Sequence, residues 1–285
     1  YLQIPFHLNY AIIPFRKNTN RIYQQVLSSN SEVLINVPME DINYPKIDHG
    51  KYGIEVKFTE KDIINALKEQ IKELPEAKGT INIPRNGFRD AGCNFQLFYP
   101  KPNKNKNPDL FLKFEKNIFS VIDELEYENR ERGNRLDLVI FINGIPIISI
   151  ELKDTFSQGV ERAIKQYKES RDPRESLFQK ILVHFAMSDE KIFYATKLAG
   201  LKTEFLPFNK GSENPEVPDN YKTSYLYNDI LQINKLSKLI SNFIYMKKGT
   251  KTGEEKPVFP RFHQFECVNM LLEDPQPGRN FLIQH

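Results

Sequence analysis

Two apolar runs near the middle of the chain, at residues 136–142 and 147–153, are joined by a short segment that begins with Asn143-Gly144. Each run has the length and composition of a β-strand, and the Asn-Gly dipeptide at 143–144 is typical of a tight hairpin turn. Because alternate residues share one face of a strand, Glu151 and Lys153 are expected to point the same way, while the residue between them points into the core. Apolar residues on both faces favour a central place in a sheet. The pattern therefore predicts a buried hairpin with charged residues at one end.

The rest of the chain predicts helices and further strands around this hairpin. Residues 59–74 begin with a threonine suited to an N-cap and carry apolar residues at helical spacing, which is the pattern of an amphipathic helix. His184 alternates within an apolar run, and such a residue is more often a core histidine than a metal ligand. Additional strands are expected at 119–127, 181–187 and 191–196, and a closing helix at 226–244. This arrangement predicts an α/β fold with a mixed central sheet flanked by helices.

The charge of the chain is nearly balanced, with 40 Lys and Arg residues against 37 Asp and Glu residues. Basic residues are concentrated locally, at 101–106 and 247–256. A few well-placed cations are enough to bind the phosphates of a nucleic acid. Loops and linkers rich in Asn, Gly, Thr and Lys are, however, more often solvated connections. Both interpretations of these two segments stay open.

Other features of the composition predict an intracellular location. Cys93 and Cys267 fit neither a zinc site nor a disulfide framework. No apolar run approaches the roughly 20 residues that span a bilayer, and the N-terminal residues lack the pattern of a signal peptide. We therefore expect a cytoplasmic protein that does not contact a membrane.

Three charged residues are expected to meet at the open end of the hairpin. Asp137 lies on the first strand, and the turn brings it alongside Glu151 and Lys153. Charges in an apolar setting are unfavourable unless something compensates them. A divalent metal held by the two carboxylates would do so, and such a site can hydrolyse phosphodiesters. The alternative is a solvated strand edge with a weak surface ion pair, which an isolated Glu-X-Lys usually is; the facing Asp137 favours the metal.

The hairpin sequence LVIFINGIPIISIELK, at residues 138–153, resembles the nuclease core of the restriction (R) subunit of type I restriction–modification enzymes. That family falls in the wider PD-(D/E)XK superfamily, so the resemblance implies a restriction-endonuclease-like core. It implies that Asp137 and Glu151 hold Mg²⁺, with the backbone carbonyl of Leu152 as a further ligand. Lys153 would then orient or activate the attacking water.

Two further positions bear on the candidate site. Gln166, in the helix expected after the hairpin, matches a family glutamine that is followed four residues later by a tyrosine. Here Ser170 stands at that place and the nearby tyrosine is Tyr167, so two candidates for the tyrosine's place stay open. Gln166 could equally be a polar residue on an amphipathic helix. Glu60 begins the first predicted helix, where many nucleases of the superfamily have another acidic metal ligand. An acid that complements the helix dipole is the more common explanation.

Residues 259–285 resemble the entry to the first motor lobe of a superfamily 2 helicase or translocase. Gln264 matches the residue that reads adenine there, although it could also be an ordinary polar residue at a helix start. The chain contains no G-x-x-x-x-G-K-[ST] phosphate loop, and it stops at His285, just before the place of that loop in the family. We therefore expect ATP to be a cofactor of the full-length protein, and no ATP hydrolysis by this part of it.

The predicted organisation has four parts: an N-terminal extension at 1–58 without an assigned role, an endonuclease domain at 59–245, a linker at 246–258 and the start of the motor lobe at 259–285. The resemblance implies a type I site-specific deoxyribonuclease that cuts unmodified double-stranded DNA after ATP-driven translocation. Its partners would be the methyltransferase (M) and specificity (S) subunits. Two alternatives stay open, a non-catalytic module that docks the R subunit or grips DNA, and an accessory domain of a solitary helicase.

Overall fold

The computed structural model describes residues 77–90, 93–102, 107–127, 134–154, 159–248 and 255–273. Several predictions concern residues outside these ranges. They are the N-terminal extension at 1–58, the helix at 59–74 with Glu60, and the last part of the predicted motor entry, at 274–285.

The described strands form one large sheet and two small ones. In chain order they are β1 (Phe88–Asp90), β2 (Cys93–Phe95), β3 (Phe119–Glu126), β4 (Arg135–Ile142), β5 (Ile145–Leu152), β6 (Val183–Met187), β7 (Ile192–Ala195), β8 (Leu206–Pro207), β9 (Tyr245–Lys248) and β10 (Glu255–Val258). The large sheet has the order β3-β4-β5-β6-β7-β8. Within it β5 and β6 run parallel, and the other neighbours are antiparallel. The predicted mixed sheet is confirmed, and so are the strands at 119–127, 181–187 and 191–196.

The described helices cover both faces of this sheet. They are α1 (Ala77–Asn86), α2 (Pro108–Glu115), α3 (Gly159–Glu169), α4 (Ser176–Lys180), a π-helical turn (Leu226–Ile230), α5 (Ile233–Lys238), a second π-helical turn (Leu239–Phe243) and α6 (Phe262–Glu273). None of the helices in the described part of the chain is long and apolar enough to cross a membrane.

The predicted hairpin is the β4–β5 pair, and its turn has the expected chemistry. Asn143 and Gly144 both adopt left-handed backbone conformations, with φ of 50° and 82°, as a two-residue type I′ turn requires. The side chain of Asn143 is buried and satisfied, because its Oδ1 accepts from the backbone N of Ile118 at 2.7 Å and its Nδ2 donates to Asn117 Oδ1 at 3.1 Å. The turn is therefore anchored to the chain that leads into β3.

Each face of the sheet has its own apolar core. On one face α3 and α4 pack against the sheet, in a cluster that includes Val139 of β4, Ala186 of β6 and Tyr167 of α3. On the other face a larger cluster joins the sheet to α1, to the helical segment at 226–243 and to Phe262 of α6. The strands β5 and β6 are buried along nearly their whole length. The central position expected for the hairpin is therefore confirmed, and charged groups at its end lie beneath a helical layer.

The prediction of one continuous helix at 226–244 is wrong. The first π-helical turn ends where the N–H of Leu231 bonds to Leu226 O at 2.8 Å, and Gln232 has an extended backbone with ψ of 143°. Ile230 and Leu231 are both buried. Successive residues of a regular helix point about 100° apart, so a break in the helix lets both adjacent side chains enter the core.

The linker expected at 246–258 contains regular structure at both described ends. β9 and β10 pair as an antiparallel hairpin, and the next residue, Phe259, is buried against the rings of Phe185, Tyr194 and Phe208. Phe259 thus joins the larger core cluster. The described residues after the hairpin are packed onto the sheet, although the domain boundary drawn there stays a prediction.

Candidate active site

Asp137 and Glu151 face each other across the β4–β5 pair. The register places Leu138 opposite Ile150, so the next pair along the antiparallel ladder is Asp137 with Glu151. Opposite residues of a ladder project from the same face of the sheet. β6 continues the row, with Ala186 beside Glu151. Ala186 is small and apolar, so in this row of three residues the polar groups are the two carboxylates.

Asp137 and Lys153 form the half-exposed side of the candidate site, here called the open pair. Lys153 Nζ lies 3.7 Å from Asp137 Oδ2, and the two side chains are 16% and 28% exposed. The same Oδ2 accepts from the backbone N of Leu152 at 2.6 Å, and Lys153 Nζ donates to the Leu152 carbonyl at 2.9 Å. The structure therefore brings Lys153 to Asp137, as the hairpin pattern predicted, and the Leu152 carbonyl, which the resemblance implied as a further ligand, lies beside them.

Glu151 and Arg171 form the closed side, here called the buried pair. Oε1 of Glu151 accepts from Arg171 Nε at 2.8 Å and from Nη2 at 2.5 Å. The glutamate side chain has no exposed surface and that of the arginine is 3% exposed. Oε2 of Glu151 is also buried, yet it has no hydrogen-bond partner among the described residues. One oxygen of this carboxylate is thus fully held, and the other is available to a ligand or a proton.

Burial raises the pKa of Glu151 to about 8, and the negative charge of Asp137 acts in the same direction. Arg171 and Lys153 oppose this shift. The net direction is upward because removing a carboxylate from water disfavours its charged form. A metal ion at Oε2 would replace the proton as the compensating positive charge.

Arg171 is a site residue that the sequence patterns did not identify. Besides Glu151, it contacts the Tyr127 hydroxyl at 3.1 Å and the backbone carbonyl of Arg135 at 2.5 Å, and its guanidinium lies over the Tyr127 ring. It follows α3 in a polar loop that also contains Asp172 and Arg174, which pair with each other at the surface. The local sequence gives no sign that one of two nearby arginines is buried. The only available signal was chemical, because a buried Glu151 needs a cation.

Beneath the carboxylates a chain of buried polar groups runs through the core. Ser149 Oγ lies 2.8 Å from the Tyr167 hydroxyl and 2.9 Å from His184 Nδ1, and all three residues are buried. Burial raises the pKa of Tyr167 and lowers that of His184 to about 3. His184 is a core residue, as predicted, although its Nε2 has no hydrogen-bond partner within the described chain. The Tyr167 hydroxyl is thus held in the core by Ser149.

The other predicted site residues lie in different surroundings. Gln166 is half-buried on α3, next to Tyr167 but on a different side of the helix, and Ser170 is exposed just beyond the helix end. Gln264 is exposed near the start of α6, and its Oε1 accepts from the backbone N of Arg261 at 3.0 Å. This is the return contact of a helix capping box. The contact gives Gln264 a structural role in capping α6, whether or not the residue also binds adenine.

A metal at this site would have few side-chain ligands in the described part of the chain. No group of three or more His, Cys, Asp or Glu residues suited to a metal occurs among the described residues. Asp137 and Glu151 supply two carboxylates, and the Leu152 carbonyl supplies a third oxygen. Glu60 lies outside the described residues.

Comparison with known proteins assigns the family. A model of the N terminus of type I restriction enzyme R proteins matches residues 14–203. The chain belongs to this family. The predicted family is thereby confirmed, and the described candidate site residues of the hairpin and of α3 lie within the matched region.

Curated relatives share this assignment. The chain is 28% identical over 241 residues to a putative type I restriction enzyme endonuclease subunit, MjaVIIIP, of Methanocaldococcus jannaschii, which covers 79% of this chain and 21% of the relative. It is 24% identical over 166 residues to the type I restriction enzyme HindI endonuclease subunit of Haemophilus influenzae, covering 55% of this chain and 15% of that protein. The chain thus spans about a fifth or less of the length of these relatives.

Proposed function

We propose that this chain is the nuclease region of a type I restriction enzyme R protein, and that it hydrolyses phosphodiester bonds of double-stranded DNA in a Mg²⁺-dependent reaction. The observation that carries the proposal is the facing pair of carboxylates, Asp137 and Glu151, with Lys153 beside them. The names of the relatives, which are endonuclease subunits, support it. We assign the sheet and its helices to a restriction-endonuclease-like, PD-(D/E)XK core on this basis.

The side chains present fit a magnesium ion. A buried oxygen without a partner, such as Oε2 of Glu151, is unfavourable unless a ligand or a proton satisfies it. Asp137 adds carboxylate oxygens from the neighbouring strand, and Leu152 adds a backbone carbonyl. Carboxylate and carbonyl oxygens are the ligands that Mg²⁺ prefers in proteins. These three residues would hold the ion, which would supply positive charge to the reacting phosphate and favour ionisation of water.

The protein groups around this place have separate tasks. The N–H of Leu152 fixes Oδ2 of Asp137, and Arg171 fixes Oε1 of Glu151, so each carboxylate has one oxygen that cannot rotate away. Lys153 Nζ lies on the half-exposed side, close to Asp137 and the Leu152 carbonyl. From there it can orient or activate the water that attacks phosphorus. Gln166, half-buried on α3, is proposed as a supporting residue.

The remaining parts of the proposal concern the full-length protein. Cleavage of unmodified foreign DNA would follow ATP-driven translocation, with M and S subunits as partners, in the cytoplasm. Residues 259–285 would begin the motor lobe, and Gln264 would read adenine in addition to capping α6. The family of the chain supports these assignments, which rest on the resemblance and not on the candidate site.

The test uses the intact restriction complex and three separate substitutions, Asp137→Asn, Glu151→Gln and Lys153→Gln. Each should lower DNA cleavage by at least about 100-fold, the order of loss when a group that stabilises the transition state is removed, while ATP hydrolysis is retained. Arg174→Gln, on the exposed loop near Arg171, is the control and should cut normally. Any one of the three variants cutting DNA at the parental rate contradicts the assignment.

One observation favours a second candidate, the non-catalytic docking or DNA-gripping module. Glu151 has no exposed surface and already has a cationic partner in Arg171, which is also what a purely structural ion pair would show. Manganese binding separates the two candidates. A nuclease site binds Mn²⁺ in the parent protein and loses that binding in Asp137→Asn, whereas a structural pair binds no ion in either protein.

A further inference from the structure

A concave surface lies at the β8 edge of the large sheet, separate from the carboxylates on β4 and β5. It is a cavity of about 450 Å³ between the β9–β10 hairpin and the chain at 194–206. Four lysines line it, against a single acid, Glu204, among the described lining residues. We call this surface the edge pocket. Its lysines are Lys197, Lys202, Lys247 and Lys256.

One face of the β9–β10 hairpin forms a wall of the edge pocket. The register pairs Lys247 with Lys256 and Tyr245 with Val258. Opposite residues and alternate residues share a face, so these four side chains project together, and all four line the pocket. Tyr245 is 53% exposed there.

The Lys247–Lys256 pair is unusual for a structural hairpin. Like charges directly opposite each other on an antiparallel pair are destabilising. Neither lysine forms an ion pair with any residue in the described ranges, and the same holds for Lys202 on the opposite wall. On the other face of the same strands, Lys248 stands opposite Glu255, a complementary arrangement. The repulsion is therefore confined to the face that lines the pocket, where an anion would relieve it.

We propose that the edge pocket binds backbone phosphates of DNA. The inference rests on the proposed function for the identity of the anion, and on the opposed lysines for the site itself. Lysine ammonium groups bind phosphates without reading sequence, and an exposed aromatic ring beside them offers a surface on which a base or sugar can pack. The pocket would hold the DNA next to the sheet, while Asp137 and Glu151 act elsewhere on it.

The experiment compares Lys247→Gln/Lys256→Gln with the matched control Lys248→Gln, which removes a lysine from the same strand on the opposite face. The intact protein is titrated with a fluorescently labelled DNA duplex in EDTA, so that no cleavage occurs, at several salt concentrations. Each phosphate contact contributes roughly 0.9 to the slope of log K against log salt. The double variant should therefore lose roughly 2 from the slope and bind about 10- to 30-fold more weakly near 0.15 M salt. The control should keep the parental slope.

A third variant, Lys247→Glu, separates binding from folding. It places opposite charges across the hairpin, so its melting temperature should rise while DNA binding falls. A double variant that binds DNA like the parent overturns the inference, and so does a control that loses as much as the double variant. Saturation by inorganic phosphate without any binding of the duplex also overturns it.

The same measurements distinguish this inference from the proposed function. Asp137→Asn should bind the duplex like the parent and fail to cut it. If the lysine variants bind normally while Asp137→Asn abolishes cleavage, the edge pocket is wrong and the nuclease assignment stands.

Discussion

The buried pair, Glu151–Arg171, and the open pair, Asp137–Lys153, share one end of the β4–β5 hairpin but face different surroundings. In the buried pair the charged atoms approach to 2.5 Å with almost no exposed surface. In the open pair they are 3.7 Å apart, and both side chains keep contact with solvent. A buried ion pair is costly to break, since removal of one partner leaves an uncompensated charge, whereas an exposed pair contributes little to stability.

Because their surroundings differ, the two carboxylates are expected to have different roles. Arg171 holds Glu151 rigidly and leaves one oxygen, Oε2, without a partner. Asp137 accepts a hydrogen bond from the backbone N–H of Leu152 and lies beside the ammonium group of Lys153. We therefore expect substitutions in the buried pair to act mainly on folding, and those in the open pair to act mainly on metal binding and cleavage.

The largest expected effect is on the buried pair. Arg171→Ala should lower the free energy of unfolding by about 3–5 kcal/mol above pH 8, where Glu151 is ionised and is left buried without its cation. Urea denaturation measures the change, with Arg174→Ala as a control that should alter stability little. Equal effects from the two substitutions would show that the buried pair has no special role. The double variant Glu151→Met/Arg171→Met should recover most of the stability, since it leaves no unpaired charge.

A second prediction concerns acid stability beneath the buried pair. His184 has a pKa near 3 in the folded protein against 6.5 as its ordinary value. The unfolded chain therefore takes up a proton that the folded one does not, and stability falls by roughly 1.4 kcal/mol per pH unit as the pH drops below 6.5 toward 3. Glu151 acts in the opposite sense, because its raised pKa means that folding retains a proton and that stability falls as the pH rises from 4.5 to about 8.

The two contributions oppose each other between pH 4.5 and 6.5. The free energy of unfolding is measured for the parent and for His184→Gln across this pH range. The difference between the two isolates the contribution of His184 to the pH dependence, even if the variant is less stable overall. A difference that does not change with pH would mean that His184 is protonated in the folded state.

A smaller effect on stability is expected in the open pair. Asp137→Asn keeps an oxygen that can accept from Leu152 N, so the free energy of unfolding should change by about 1 kcal/mol or less. Mn²⁺ affinity should nevertheless fall at least about 10-fold, because a neutral amide is a poorer ligand for a hard cation than a carboxylate. Calorimetric titration with Mn²⁺ tests this. A loss of stability as large as that of Arg171→Ala would remove the distinction between the two pairs.

The smallest effect on folding is expected for Lys153→Gln. An ion pair 3.7 Å apart that keeps contact with solvent contributes little to stability, so the melting temperature should stay near the parental value. Mn²⁺ binding should become slightly tighter, because a positive charge beside the ion is removed, while cleavage is lost. Weaker Mn²⁺ binding in this variant would indicate that Lys153 organises the metal ligands instead of the water.

Much of the candidate site was predictable because its signals are local. The two apolar runs and the Asn-Gly turn predict the hairpin and its charged end. The turn alone, which pairs Ile142 with Ile145, would place Asp137 opposite Ile150, and a register shift between Ile140 and Phe141 brings Glu151 opposite Asp137 instead. Arg171 was not predictable, since it lies 20 residues beyond Glu151 in a loop that resembles any solvated polar connection. The β9–β10 hairpin was taken for a linker for a related reason, because its strands are mostly polar and only four residues long.

The sequence by itself determined the hairpin, its charged end and the family, since these depend on residues that are neighbours or are joined by one tight turn. Only the tertiary structure decided which of the two carboxylates is buried. α3 covers the face that carries Glu151, the chain after it returns Arg171 to that carboxylate, and Asp137 keeps contact with solvent. Burial depends on which distant segments pack over a residue, and the periodicity of a single strand does not contain that information.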